Sequence, residues 1–126
     1  MNSKDQKRLD QMAQAIFDKK GANIIALDVR GVSSMTEYFL IAEGNVEKHV
    51  SALARAIYDV GIDSGFSPLV VEGMQKGDWV VMDFGYIVVH LFTPDLREKY
   101  AIESLWSKGK IVNLHIKVEP EGFRGK

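Results

Sequence analysis

The sequence predicts a single α/β domain, with a mixed sheet of five or six strands flanked by helices. Segments with apolar residues in helical spacing alternate with short apolar or alternating segments that are typical of strands. One connection, at Phe84-Gly85, is so short that the strands on either side of it are expected to form an antiparallel hairpin. The length of 126 residues suits one domain.

The first predicted element is an amphipathic helix over Asp5–Lys20. Its apolar residues fall on one stripe of a 3.6-residue period; they are Leu9, Met12, Ala13, Ile16 and Phe17. Gly21 is predicted to take the left-handed conformation that ends the helix. Two strands then follow, over Asn23–Val29 and Glu37–Ala42.

A turn at Gly44-Asn45 leads into the second predicted helix, Val46–Ser64, with Asn45 as the expected cap. The buried stripe of this helix is Val50, Leu53, Ala54, Ile57 and Tyr58. Gly65 is predicted to end it, and a third strand is predicted over Pro68–Val71.

The predicted hairpin pairs Trp79–Asp83 with Tyr86–Phe92. Thr93 is then expected to cap a third helix that has Pro94 at its first position. The apolar and aromatic residues of that helix are Leu96, Tyr100, Leu105 and Trp106.

Beyond Gly109, apolar residues alternate with polar ones over Ile111–Val118, which predicts a sixth strand at a sheet edge. Pro120–Lys126 is expected to be a frayed, flexible tail. Strands separated by a helix favour parallel pairing and hairpins are antiparallel, so the sheet should be mixed.

The amino-acid composition excludes several classes of function. The chain has no cysteine, which excludes a disulfide scaffold, a thiolate zinc site and a cysteine nucleophile. The first twenty residues show no signal-peptide pattern and no apolar run could cross a bilayer, so a cytoplasmic protein with no membrane contact is expected. The net charge is −1, from 16 basic and 17 acidic residues, which argues against DNA binding or charge-driven RNA binding. A protein partner is the better expectation.

Two aspartates offer an enzymatic alternative. Asp28 and Asp83 both stand at predicted strand ends, where carboxylates could hold Mg²⁺ in a small nucleotidyltransferase-like enzyme. A glycine-rich phosphate loop and a second nearby carboxylate are both missing from the sequence around them. Strand-end aspartates of this kind are more often turn or surface groups.

The histidines His49, His90 and His115 have no metal-binding spacing. His90 lies within an apolar strand and is expected to be a hydrogen-bonded structural residue, while His49 is expected on the exposed side of the second helix. No nucleophile, Walker loop or Rossmann loop accompanies them, so no cofactor and no catalytic residue is predicted.

Aromatic residues in the second half indicate an interface. Tyr100 and Trp106 are expected mainly to pack the third helix on the sheet, whereas Trp79 opens a strand after a polar loop and is the better contact candidate. The acidic residues nearby would suit a basic partner; they are Glu72, Asp78, Asp83, Asp95, Glu98 and Glu103.

Several ordered motifs resemble the ribosomal silencing factor family, also called the Iojap-like family. In the first half these are the segments 23–29 (NIIALDV) and 38–41 (YFLI), with Gly44. In the second half they are 71–73 (VEG), 78–85 (DWVVMDFG) and 88–92 (VVHLF), followed by Arg97, Tyr100, Glu103, Leu105 and Trp106. The resemblance covers about residues 5–107, and the ordered set is specific although each motif alone is weak.

The resemblance implies a fold similar to nucleotidyltransferases that lacks their catalytic residues. It implies binding to the fourteenth protein of the large ribosomal subunit, on the intersubunit face. The small subunit would then be kept away by steric occlusion, so translation would be repressed and ribosome formation lowered. It also implies that some members form homodimers.

Carried over to this sequence, the resemblance places the partner contact on Trp79, with Asp83 and Gly85 in the same motif. Glu72, His90, Tyr100 and Glu103 are further candidates. The chain departs from the family pattern at Asn45-Val46, where serine or threonine is usual.

A second departure concerns the end of the chain. Residues 1–107 are taken as the silencing-factor domain and 108–126 as a C-terminal extension beyond the usual family end. The extension could add an edge strand, take part in dimerisation, or contact ribosomal RNA through its lysines and arginine.

Overall fold

The computed structural model describes residues 2–101 and 108–118. In chain order, the elements are α1 Ser3–Asp18, β1 Ala22–Asp28, β2 Tyr38–Glu43, α2 Glu47–Ser64, β3 Val70–Glu72, β4 Trp79–Asp83, β5 Ile87–Phe92, α3 Pro94–Tyr100 and β6 Lys110–Val112. Three of the residues singled out from the sequence, Glu103, Leu105 and Trp106, lie outside the described residues, as does the predicted tail. In the described ranges, no helix combines the length and apolar character needed to span a membrane.

The strands form one six-stranded sheet in the order β3-β4-β5-β2-β1-β6. The central pair, β2 and β5, is parallel, and every other neighbouring pair is antiparallel. This confirms the predicted mixed α/β sheet. The parallel pair arises because α2 and the two strands after it carry the chain between β2 and β5.

The two faces of the sheet are covered differently. Helices α1 and α2 pack on one face, here called the helix face, through Leu9, Met12, Ile16, Leu53 and Ile57, all fully buried. The opposite face, here called the second face, carries a smaller cluster. Its members are Leu27, Val29, Phe39, Ile41 and Phe92, with Ile25, Trp79, Val88 and Leu96 packed against them. Leu96 comes from α3, so α3 lies on the second face.

Helix α1 begins and ends at residues other than those predicted. Asn2 caps it, because its side-chain oxygen accepts a hydrogen bond from the Asp5 N–H at 2.8 Å. The left-handed residue after the helix is Lys20, with a φ of 69°, so the prediction for Gly21 was wrong. Gly21 is required for a different reason, since a Cβ there would lie 2.3 Å from the Ile16 Cγ2 atom.

Helix α2 is capped by Val46, which has extended backbone and offers no side-chain hydrogen bond, so the predicted Asn45 cap was wrong. His49 contributes in its place: its Nδ1 accepts from the Asn45 N–H at 2.8 Å, and its Nε2 lies 2.7 Å from the Lys19 carbonyl oxygen. His49 therefore links the end of α1 to the start of α2. Gly65 ends α2 in the left-handed conformation, as predicted. Tyr58 was predicted in the buried stripe of α2 but is 45% exposed, so that prediction was wrong.

Two other boundaries differ from the prediction. Strand β3 comprises only Val70–Glu72, later than predicted, because pairing with β4 begins opposite Asp83. In α3, Thr93 stands at the cap with Pro94 after it, and the helix ends at Tyr100 because Ala101 takes a left-handed φ of 46°.

The predicted sixth strand is real but short. Only Lys110–Val112 pairs with β1, and residues 113–118 run along α1 instead. Side chains on α1, here called the polar ladder, bind the backbone of that segment; they are Gln6, Asp10 and Gln14. Since these three already hold Asn113, His115 and Lys117, the segment does not continue the sheet.

The polar ladder can form because the spacing of its side chains along α1 is close to the spacing of alternate residues in the extended segment. Residues four apart on a helix are about 6 Å apart along its axis. Alternate residues of an extended chain are separated by about 6.7 Å. Gln6 Nε2 donates to the Asn113 carbonyl at 2.9 Å, Asp10 Oδ1 accepts from the His115 N–H at 2.9 Å, and Gln14 Oε1 accepts from the Lys117 N–H at 2.7 Å.

Candidate partner-binding surface

The candidate contact residues are best located by their strand positions. Along β4, Val80 and Met82 belong to the core on the helix face, while Trp79 packs on the second face. Side chains alternate along a strand, so Val81 and Asp83 share the face of Trp79. By the same alternation, His90 lies on the second face together with Val88 and Phe92 of β5.

Five aromatic side chains meet on the second face and are here called the aromatic cluster: Phe39, Trp79, His90, Phe92 and Tyr100. The Trp79 ring lies 5.0 Å from Phe92, its direct cross-strand partner, and 4.7 Å from Tyr100, measured between centroids. The His90 ring stacks on Phe92 at 6.0 Å and meets the edge of Phe39 at 5.3 Å. Offset and edge-to-face contacts at these distances are favourable.

A hydrogen bond fixes the Trp79 and His90 rings relative to each other. The indole Nε1–H of Trp79 donates to His90 Nδ1 at 3.2 Å. Since an indole nitrogen can only donate, the neutral imidazole carries its proton on Nε2. Burial lowers the pKa of His90 to about 4, so the ring is uncharged at neutral pH.

The cluster is partly open to solvent. Tyr100 is 43% exposed and Trp79 is half-buried, whereas His90 and Phe92 are buried beneath them. The exposed part is thus an aromatic patch formed by Trp79 of the hairpin and Tyr100 of α3. Such a patch can bind a protein surface by burying large apolar area with little loss of conformational freedom.

The other candidates from the sequence are farther away. Glu72 is exposed on β3 and pairs with Val81, which itself pairs with His90, so Glu72 borders the cluster at the sheet edge. Asp83 is at the far end of β4, about 13 Å from Trp79 along the strand. Its Oδ1 accepts from the Gly85 N–H at 2.7 Å, and Gly85 has a φ of 93°, so both residues form the hairpin turn.

Some residues of the surface were not among the sequence candidates. Phe39 and Phe92 supply the floor of the cluster, and Arg97 with Glu43 ties α3 to the sheet beside it. The sequence indicated the hairpin but not its register, and it is the register that places Phe92 opposite Trp79. The pairing of β2 with β5, which brings Phe39 to His90, had no local signal in the sequence.

The structure does not bring the two proposed magnesium ligands together. Asp28 pairs with Tyr38 and shares the helix face with it, while Asp83 lies on the second face. Two strands separate β1 from β4, a distance of about 14 Å. Hydrogen bonds from the Arg30 guanidinium occupy Asp28 and hold the pKa of its carboxyl below the usual value. Within residues 2–101 and 108–118, no group of three or more histidine or acidic side chains is placed to hold a metal.

Comparison with known proteins gives a consistent family. The family model described as "Ribosomal silencing factor during starvation" matches residues 2–124. The chain is 40% identical to ribosomal silencing factor RsfS of Bacillus subtilis over 102 residues, which is 81% of this chain and 86% of that protein. It is also 28% identical over 102 residues to the mouse protein named mitochondrial assembly of ribosomal large subunit protein 1, covering 79% of this chain and 45% of that protein.

A solved structure agrees with the fold. The crystal structure of a protein from Chromobacterium violaceum superposes with a TM-score of 0.78 at 31% sequence identity. The superposition covers 93% of this chain and 95% of that one.

Proposed function

This chain belongs to the ribosomal silencing factor family, and we propose that it represses translation by binding the large ribosomal subunit and keeping the small subunit away. The partner is the fourteenth protein of the large subunit, as the sequence resemblance implies. The action is steric and needs no catalysis. The target places the protein in the cytoplasm.

One observation supports the second face as the contact surface. The aromatic cluster is open to solvent at Trp79 and Tyr100, on the face that α1 and α2 leave free. Trp and Tyr side chains are enriched among the residues that contribute most to protein binding. Trp79, Tyr100 and His90, three of the sequence candidates, meet there.

Charge supports the same assignment. Glu72 borders the cluster and Asp95 lies in the first turn of α3, while Asp78, which directly precedes Trp79, pairs with Lys76 at 3.4 Å. An acidic surround of this kind favours encounter with a basic protein surface, as ribosomal proteins present. The proposed binding should therefore weaken as salt concentration rises.

A non-catalytic action fits the names of the relatives, which describe silencing and assembly of ribosomes. The magnesium-dependent alternative needs Asp28 and Asp83 at one ion, and they stand on opposite faces of the sheet. Its assay is direct. Magnesium-dependent turnover of a nucleoside triphosphate that Asp28→Asn abolishes would revive it.

The test is sedimentation of purified large and small subunits in sucrose gradients with the chain and matched variants. Tyr100 and Tyr58 are 43% and 45% exposed, and Tyr58 lies on α2, across the sheet from the cluster. Tyr100→Ala should weaken binding about tenfold or more and restore joining of the subunits. Tyr58→Ala should bind and block joining like the parent chain.

Either of two results would contradict the proposal. If the unmodified chain stays at the top of the gradient while whole ribosomes form, the silencing action is absent. If Tyr58→Ala releases the chain and Tyr100→Ala does not, the contact lies on the helix face.

Self-association is a second property that the family resemblance implies. Strand β3 is at one edge of the sheet, and its residue Val70 and the preceding Leu69 are 49% and 74% exposed. Open apolar edges favour pairing with another chain. Sedimentation equilibrium of the purified protein should show a dimer that Val70→Lys disrupts, and a monomer at all concentrations would remove this part of the proposal.

A further inference from the structure

Helix α3 is fastened to the sheet by Arg97. The guanidinium Nη1 of this residue lies 3.3 Å from the Glu43 carboxylate, and the same group donates to the main-chain carbonyl of Asn23. Only 11% of the Arg97 side chain and 14% of the Glu43 side chain are exposed. Because the contact is largely withdrawn from water and has a second acceptor, it is a fixed geometry and not a loose surface pair.

Within residues 2–101 and 108–118, the helix has few other attachments. It is seven residues long, and a helix this short is not stable alone in water. None of the residues Pro94–Tyr100, all of which the structure describes, is buried. Leu96 packs on the second face, the Tyr100 ring contacts Trp79, and the Thr93 side chain hydrogen-bonds to the Asp95 side chain but not to a helix N–H. Among the described residues, Arg97 is therefore one of only a few side chains that fix α3 on the sheet.

The sheet has a local irregularity where it receives Arg97. The pairing of β1 with β2 shifts register between Ala22 and Ile25, and Asn23 takes a left-handed φ of 51°. A bulge of this kind takes a residue out of regular pairing and redirects its backbone. The redirected carbonyl of Asn23 is the one that Arg97 binds.

Arg97 and Tyr100 are neighbours on the helix surface, because residues three apart lie on one side. The Tyr100 ring stands 4.7 Å from Trp79. We propose that Arg97, held by Glu43 and the Asn23 carbonyl, is a positioning residue of the partner-binding surface that sets Tyr100 against Trp79 without touching the partner. The consequence for ribosome binding rests on the proposed function, while the effect on Trp79 does not.

The experiment removes both charges at once. Arg97→Met with Glu43→Gln abolishes the ion pair without leaving one charge unpaired. The chain has two tryptophans, so Trp106→Phe as the background leaves Trp79 as the only indole. Two quantities are measured: quenching of Trp79 fluorescence by acrylamide, and binding to purified large subunits by sedimentation.

The control variant has an arginine replaced by methionine at a position far from the aromatic cluster. Arg55 is exposed on α2, on the far side of the sheet, so Arg55→Met matches the chemistry of Arg97→Met. We expect the double variant to raise the Trp79 quenching constant about twofold or more and to weaken binding about tenfold. Arg55→Met should change neither quantity, and Arg97→Lys, which keeps the charge without the planar fork, should be intermediate.

The possible results separate the two claims. Unchanged quenching in a folded double variant overturns the positioning role, whatever happens to binding. Raised quenching in the double variant supports the positioning role. If the Trp106→Phe parent does not sediment with large subunits, that result counts against the proposed function and leaves the positioning role unaffected. If the double variant does not fold, the comparison of Arg97→Lys with the parent decides, and unchanged quenching there again overturns the role.

Discussion

The indole N–H of Trp79 donates to Nδ1 of His90 across the β4–β5 hairpin, at 3.2 Å. His90 is 8% exposed, and its ring lies between Phe39 and Phe92. A protonated imidazole has no acceptor nitrogen, so it could not keep this bond. The aromatic cluster thus depends on His90 remaining neutral.

His90 should make stability depend on pH in the acidic range. Burial lowers its pKa to about 4 in the folded chain, against 6.5 for the ordinary group. The unfolded chain then binds the proton first, so stability is full above pH 6.5 and falls between 6.5 and about 4. The loss should reach about 3 kcal/mol. Urea denaturation at a series of pH values measures it.

The control for this pH dependence is His90→Gln, which keeps an acceptor but does not titrate. Its free energy of unfolding should fall less steeply over the same interval. An identical slope in both proteins would assign the pH dependence to carboxylates and not to His90.

Gly73 and Gly31 form a matched pair for substitution by alanine. Both have a left-handed φ, 89° and 81°, so Ala suffers the same backbone strain at either position. A Cβ at Gly73 would lie 2.1 Å from the Trp79 carbonyl oxygen, whereas one at Gly31 meets nothing within 4 Å. Gly31→Ala should cost about 1–2 kcal/mol. Gly73→Ala should cost about 2 kcal/mol more by urea denaturation. Equal losses would mean that the 73–78 loop moves aside freely.

Val46 offers a route to a more stable chain. It is the cap of α2, has extended backbone and is 55% exposed, yet gives the helix no side-chain acceptor. Val46→Asp should raise the free energy of unfolding by about 1 kcal/mol, because a carboxylate there accepts from the first-turn N–H groups. Val46→Ala tests the alternative that loss of the β-branched side chain is responsible, and it should bring no such gain.

The polar ladder should control local opening of residues 113–118. Gln14→Ala removes both bonds to Lys117, which measure 2.7 and 3.2 Å. Each is worth about 0.5–1.5 kcal/mol, so amide exchange at Lys117 should accelerate about tenfold with little loss of global stability. The control is Gln11→Ala on the same helix, because Gln11 bonds to Ser64 instead. Equal acceleration by the two substitutions would mean that α1 frays as a whole.

The sequence predicted the sheet well because its signals are local. Short apolar segments placed β4 and β5, and the short Phe84-Gly85 connection gave their antiparallel pairing. Most errors came from positions where tertiary contacts outweigh local preference. Gly21 was taken for a helix stop, but Lys20 bears the left-handed angle, and Gly21 is needed where the chain passes close to Ile16.

The candidate site was predicted in part. The sequence candidates Trp79, His90 and Tyr100 come together, but Asp83 and Gly85 form a turn at the other end of β4. The distance between residues on different strands depends on the order of the strands in the sheet. That order is hard to predict here, because a helix and two strands lie between β2 and its neighbour β5 in the sequence. The contact of Arg97 with the bulge at Asn23 also depends on contacts between distant parts of the sequence, so no local motif could predict it.

The polar ladder joins segments that are far apart in the sequence: Gln6 and Asn113 are 107 positions apart, and Gln14 and Lys117 are 103 apart. Contacts of such sequence separation form late in folding, because nearly the whole chain must close on itself first. During synthesis, α1 is made long before residues 113–118, the segment that its side chains bind. Until then the β1 edge is uncovered and available to other nascent chains. A chain interrupted before Lys110 would keep that edge open, so we expect truncated products to aggregate during expression more than single-residue variants do.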